Sequence, residues 1–130
     1  MYGYTSNNTN DRYTQFAITG NVEAKGNCGA IWNTYNPNVL DTYCGHCLFK
    51  NCVGLTVAPE LPTGIASYCY SAMFIGCTNL TSAPVLTAAP IYNHSYQRMF
   101  ENCTSLNYVK CLATDISYEY CVHEWLSDVA

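Results

Sequence analysis

Nine cysteines in a chain of 130 residues are the first feature that could do chemistry. Cys44-Gly45-His46-Cys47 has the spacing of a thiol–disulfide exchange site, where a helix N-terminus lowers the pKa of the first thiol so that it attacks as a thiolate. Together with Cys52 the same residues offer soft donors at short spacing, which suits tetrahedral zinc. A cysteine with His94 or His123 and Asp115 has the residue types of a nucleophilic triad, though neither spacing nor local motif ties the three together. The sequence itself weighs against each of these. Cys44 belongs to a recurring column, Cys47 falls opposite Ala72 and Arg98 in other copies of that column, and no βαβ pattern flanks the tetrapeptide. Three of the four zinc donors would have to leave or share one helix. The expectation is a chain with no catalytic residues, no metal and no cofactor.

The column is one of several, and the repeat behind them must position whatever site exists. Cys44 to Leu55 can be laid over Cys69 to Leu80 at an offset of 25, and Ser95 to Leu106 follows another 26 residues on. The register continues as Ala58-Pro59-Glu60-Leu61, Ala83-Pro84-Val85-Leu86 and Val109-Lys110-Cys111-Leu112. In a last partial copy Cys121 takes the Ser95 position, and Trp125-Leu126 take those of Met99-Phe100. A unit this short cannot bury an apolar face alone, whereas stacked copies build a continuous core.

Each unit reads as a helical half and an extended half. Ile65, Ala66, Cys69, Met73 and Cys77 recur at three- and four-residue steps, which predicts one helical face, with Gly76 and Asn102 as helix stops. Leu80, Ala83 and Leu86 then supply the inward residues of an extended stretch. Pro59 and Pro84 lack the N–H a parallel ladder needs, so any strand should be short. The expected fold is an α/β repeat: a leucine-rich-repeat solenoid of about 25–26 residues per turn, with short parallel strands and short helices. Residues 1–27 read as a lead-in or cap, with Phe16, Ile18, Val22, Ile31 and Trp32 available to cover the open end. Residues 28–130 read as the solenoid, with units near 40–64, 65–90 and 91–115 and a partial unit at 116–130. Stacked columns of Cys44, Cys69, Ser95 and Cys121, and of Cys52, Cys77 and Cys103, cast most cysteines as small buried apolar residues. Ser95 favours that role over a disulfide, because Ser would strand a bonded partner.

The Met-Phe-x-Gly-Cys-Thr-x-Leu-Thr-x-Ala-Pro-x-Leu run of residues 73–86, with its shifted copies, resembles the BspA-like leucine-rich repeats of Bacteroidetes surface proteins. Residues 102–117 resemble the closing repeat of such proteins, and residues 16–21 the approach to their first one. The resemblance implies a curved β/α solenoid that is exported and binds protein or other surface ligands, and it brings no catalytic residues. Thr87-Ala88-Ala89-Pro90 and Pro62-Thr63-Gly64 depart from the family's linker, and relatives continue past the position of Ala130. The expectation is therefore a fragment or short paralogue, extracellular or at the bacterial cell surface, with its export signal outside this chain.

Charge narrows the partners. Only 11% of residues are charged and the formal net charge is −4, so the basic field that nucleic acid or an anionic membrane demands is missing. No apolar run is long enough to insert into a bilayer. Twelve Tyr among abundant Asn and Thr suit contact with a protein or glycan ligand, since Tyr combines rigid area with a hydroxyl. Read as a helix, Tyr92, His94, Tyr96, Gln97 and Arg98 share an exposed face. Tyr70 joins them as the equivalent of Tyr96, and Tyr108 marks a second surface, on the extended half near Thr81, Ser82 and Asn107. These seven, Tyr70, Tyr92, His94, Tyr96, Gln97, Arg98 and Tyr108, are the candidate ligand contacts. The Asn-x-Ser/Thr sites at Asn7, Asn79, Asn93 and Asn102 matter only in a eukaryotic secretory pathway. Two further readings stay open: a structural spacer or end-to-end self-associating unit with Trp125 and Leu126 at its joint, and a zinc or thiol-redox protein using Cys44 to Cys52.

Overall fold

A computed structural model of the chain describes residues 15–31, 40–86 and 90–130. Copies of the repeat lie one upon another, joined by main-chain hydrogen bonds between equivalent positions. Gly45, Cys47, Phe49 and Asn51 donate to the carbonyls of Cys69, Ser71, Met73 and Ile75. Tyr70, Ala72, Phe74 and Gly76 donate in turn to Ser95, Gln97, Met99 and Glu101, and Tyr96, Arg98, Phe100 and Asn102 to Cys121, His123, Trp125 and Ser127.

The first half of each unit is not the expected short helix, and no α-helix occurs among the described residues. It is a coil of overlapping β-turns. His46, Leu48, Lys50 and Cys52 each donate to the carbonyl three residues back, while the residues between them donate to the next copy. An α-helix uses all its interior N–H groups on itself; here half of them bind a neighbour. Every fourth residue has positive φ: Tyr43, Cys47 and Asn51, then Tyr68, Ala72 and Gly76, then His94, Arg98 and Asn102, then Tyr120, Glu124 and Asp128. That sign at the third position of a turn is the type II requirement, and Asn51, Gly76 and Asn102 are residues that accept it readily. Cys, Tyr, Asn and Gly are poor helix formers, so inter-copy hydrogen bonds decide the conformation.

The coil turns inward two adjacent residues in every four. Cys69 with Tyr70, Met73 with Phe74, and then Cys77 are buried, as are Ser95 with Tyr96, Met99 with Phe100, and Cys103. Phe49, Phe74 and Phe100 stack with ring centroids 5.4 and 5.6 Å apart and nearly parallel planes. Each carries on the packing of the copy before it, which is the nearest-neighbour physics of a repeat array.

The extended halves form short parallel contacts. Strand β1, Val22–Glu23, pairs with β2, Leu55–Val57. Parallel bridges continue the ladder at Asn27 with Glu60, Val57 with Ser82, Leu86 with Cys111, and Pro90 with Asp115. Leu80 and Leu86 are fully buried, with Ala83 packed against the core between them. Gly54 lies where β2 begins, and a Cβ there would run into the backbone carbonyl of Gly20.

Residues 15–31 add a layer before the first full copy. Phe16 donates to the Leu48 carbonyl and its ring packs tilted against Phe49 at 5.1 Å, while Val22, Ala24 and Cys28 donate to Gly54, Val57 and Glu60. Ile18 and Ile31 pack against the core as partly buried residues, whereas Phe16 and Val22 remain exposed. A short 3-10 turn at Cys28–Ile31 closes the layer. Trp32 lies outside the described residues.

Candidate functional site

All nine cysteines are free thiols, and all but Cys111 are buried. In one column each thiol donates to the carbonyl of a phenylalanine in the layer before it: Cys52 to Phe16 at 3.1 Å, Cys77 to Phe49 at 3.0 Å and Cys103 to Phe74 at 3.1 Å. In the other, the Cys69 sulfur accepts the Ala66 N–H at 3.4 Å. Ser95 repeats that contact, its Oγ accepting the Tyr92 N–H at 3.0 Å and facing the carbonyls of Tyr92 and Ala66. A hydroxyl thus fills the thiol's place without leaving a polar atom unmet. Burial pushes Cys28 and Cys103 up to about 12 and raises Cys77 further, which keeps these sulfurs protonated.

The Cys44-Gly45-His46-Cys47 tetrapeptide lies within the first coil. Its Cys47 sulfur sits 3.4 Å from His46 Nε2, but burial raises the thiol and lowers the imidazole, opposing a thiolate–imidazolium pair. Cys44 and Cys69 are neighbours in the core. Among the described residues no three His, Cys, Asp or Glu side chains are placed to hold a metal, so Cys44, His46, Cys47 and Cys52 do not form a zinc cage. The residues of the paper triad are engaged apart from one another: His94 Nδ1 with Gln97 Oε1 at 2.9 Å, His123 beside Glu124 at 3.8 Å, and Asp115 accepting the Ser117 N–H at 2.9 Å.

Two of the seven candidate ligand contacts are corrected outright. Tyr70 and Tyr96 are each 1% exposed, stacked on one another at 5.9 Å inside the core. The Tyr70 hydroxyl lies 3.3 and 3.4 Å from the carbonyls of Gly64 and Pro62. The helical reading turned them outward, because a helix separates adjacent side chains by about 100°, whereas the turn coil buries them beside Cys69 and Ser95.

The other five stay accessible in two places. Tyr92 is exposed and meets Tyr118 edge to face at 5.4 Å. Arg98 holds Glu101 through both guanidinium edges, one contact being Nη2 to Oε1 at 2.9 Å, and reaches Glu124 at 3.8 Å. Arg98 accordingly holds the Glu101 carboxyl below its ordinary range. Gln97 is half-buried beside His94. Tyr108, 68% exposed, is the most open large hydrophobic side chain among those described, and stands on the strand side with exposed Val85, Ser82 and Asn107. Thr81 there turns its hydroxyl to the Thr56 carbonyl at 3.1 Å.

His94 belongs to a feature that the periodicity argument passed over. Tyr43, Tyr68, His94 and Tyr120 form a column of stacked rings, with centroids 4.5, 4.3 and 5.1 Å apart. His46 and His123 border its two ends T-shaped. Each ring residue immediately precedes a member of the Cys44 column and has positive φ. The signal was present in the sequence as Tyr, Tyr, His and Tyr in one register. The column is half-buried through Tyr43, Tyr68 and His94 and opens at Tyr120. No protein-family model matches the chain, and neither does any curated protein or solved structure.

Proposed function

We propose that the chain is a non-enzymatic binding module, a leucine-rich-repeat solenoid of the BspA-like kind that works outside the bacterial cell or on its surface and takes a protein or glycan ligand on the side of its stack. One observation carries this reading. Positions that turn inward keep their residue type from copy to copy, as in Phe49, Phe74 and Phe100, while positions that reach the surface change, as in Thr42, Ser67, Asn93 and Glu119. A constant frame with a variable exterior is how repeat proteins separate stability from recognition. The exterior residues with the most to offer a ligand are Tyr92, Arg98 and Tyr108, since exposed Tyr and Arg dominate interface energetics.

The test is saturable binding to a panel of purified secreted glycoproteins, each measured before and after removal of its glycans. Binding that falls tenfold or more in Arg98→Ala, Tyr92→Ala or Tyr108→Ala, with thiol protection unchanged, supports the module. Affinity indifferent to all three variants places recognition elsewhere. A second reading, a structural spacer or end-to-end assembling unit, draws on the exposed Leu126 beside half-buried Trp125 in the last copy. Concentration-dependent growth in sedimentation velocity would favour it.

A further inference from the structure

Two phenols of the ring column lie face to face. Tyr43 and Tyr68 stand at equivalent positions of adjacent copies, both with left-handed backbone, φ 62° and 58°, so their side chains leave the coil in the same direction. The Tyr43 N–H donates to the Ser67 carbonyl at 3.3 Å and the Tyr68 N–H to that of Asn93 at 3.1 Å, which fixes the backbone under each ring. The rings stack with centroids 4.5 Å apart and planes 27° from parallel. Both are half-buried, so neither is sealed inside the core. Their hydroxyls lie at the same end of the stack, where burial first and the Tyr43 hydroxyl second raise the Tyr68 phenol. The other tyrosine pairs in ring contact among the described residues differ. Tyr70 and Tyr96, 5.9 Å apart, are shut inside the core, and Tyr92 meets Tyr118 edge to face, its plane turned by 63°. His94 covers the far face of Tyr68 at 4.3 Å and offers no phenol there.

We propose that Tyr43 and Tyr68 are a modification site, joined by oxidative coupling into a dityrosine that ties two adjacent copies of the coil together. The oxidant is hydrogen peroxide acting through a haem peroxidase, which takes electrons from phenols one at a time. Each phenol gives up one electron and one proton and becomes a phenoxyl radical, and the peroxide takes up both electrons and both protons to leave two waters. The radicals carry unpaired density at the ring carbons ortho to oxygen. Stacked rings with their hydroxyls at one end bring those carbons together, and one C–C bond forms between them. The two ortho hydrogens then move to the oxygens, which restores both phenols, so the net loss is two hydrogen atoms. Because the partners are already held in contact, coupling within the chain outruns coupling between chains. The bond closes residues 43–68 into a loop and so reduces the freedom of the unfolded chain. It uses no residue of the buried cysteine and phenylalanine columns and none of Tyr92, Arg98 and Tyr108, and it stands apart from whatever the module binds.

The test treats the 130-residue chain, at low concentration, with a haem peroxidase and limiting hydrogen peroxide. Expected are blue dityrosine fluorescence in the monomer fraction, a mass lower by two hydrogen atoms, and a cross-linked peptide pair whose tandem mass spectrum joins Tyr43 to Tyr68. Alkylation after unfolding should still count all nine thiols, which separates this product from a disulfide of the same mass. Tyr43→Phe and Tyr68→Phe each keep a ring in the stack and remove a phenol, so the fold is spared, and each should lower the monomer's dityrosine at least tenfold. Tyr118→Phe should leave it unchanged. No dityrosine in the monomer, cross-links that join other tyrosines, a yield that survives Tyr43→Phe, or an equal Tyr43–Tyr68 yield from the urea-unfolded chain would each overturn the proposal.

Discussion

At the residue scale the cysteines behave as packing groups. A thiol whose pKa is raised by burial binds its proton more tightly in the folded state, so its contribution is complete below the unfolded value near ~8.5 and is lost as pH climbs toward the folded value. For Cys28 and Cys103, pushed up to about 12, the loss runs from about pH 8.5 to 12 at up to about 1.4 kcal/mol per pH unit for each thiol. Urea midpoints should therefore hold between pH 7 and 8 and fall steadily by pH 10.5; a midpoint unchanged at pH 10.5 would mean that these sulfurs are not buried. At pH 8 a thiol titration should find most of the nine unreactive in the native protein and all nine after unfolding. Tyrosines divide by position in the same way. Tyr96→Ala empties a core site and should cost about 3–5 kcal/mol, whereas Tyr108→Ala should stay within about 0.5 kcal/mol. Chemical denaturation of the pair checks both.

The turn coil sets the logic at the scale of the element. Its period is four because a residue of positive φ recurs at that interval, and the residue types found there tolerate it unequally. Gly76 combines a φ of 73° with a site where an added Cβ would strike the Asn51 side chain. Gly76→Ala should destabilise by about 1–2 kcal/mol, read as a lower urea midpoint at constant slope. Ala72, at a φ of 54°, tests the converse. Ala72→Gly relieves the strained conformation but frees the unfolded chain, and the two effects are of similar size. It should change stability by less than about 1 kcal/mol, against the clear loss an ordinary buried Ala→Gly replacement brings.

For the whole molecule, stability should be graded along the stack. Among the described residues, interior copies are bonded on both sides and the last on one. Amide exchange should be fast at Tyr120, Val122, Glu124, Leu126 and Asp128 and slowest at Tyr70, Phe74 and Tyr96, whose N–H groups lie between copies. Uniform protection through residue 128 would show that these amides are bonded as well. Phe16 makes the corresponding test at the other end: Phe16→Ala removes the ring packed against Phe49 and should speed exchange at Cys52 before it affects Cys103.

Recurrence alone determined which residues form columns, because identical environments in stacked copies select identical residue types. Cys52, Cys77 and Cys103, the Phe49 series, Leu80 and Leu86 were all legible as core, and Ser95 identified a column that does not depend on disulfides. Recurrence could not say whether the connecting backbone is helix or turn coil. Steps of three and four residues describe both, and the choice rests on N–H groups that bond to another copy rather than to their own segment. That one decision moved Tyr70 and Tyr96 from the surface into the core and aligned Tyr43, Tyr68, His94 and Tyr120 as a ring column. Hydrogen bonds between segments a full repeat apart leave no trace in local periodicity, so only the tertiary structure could place them.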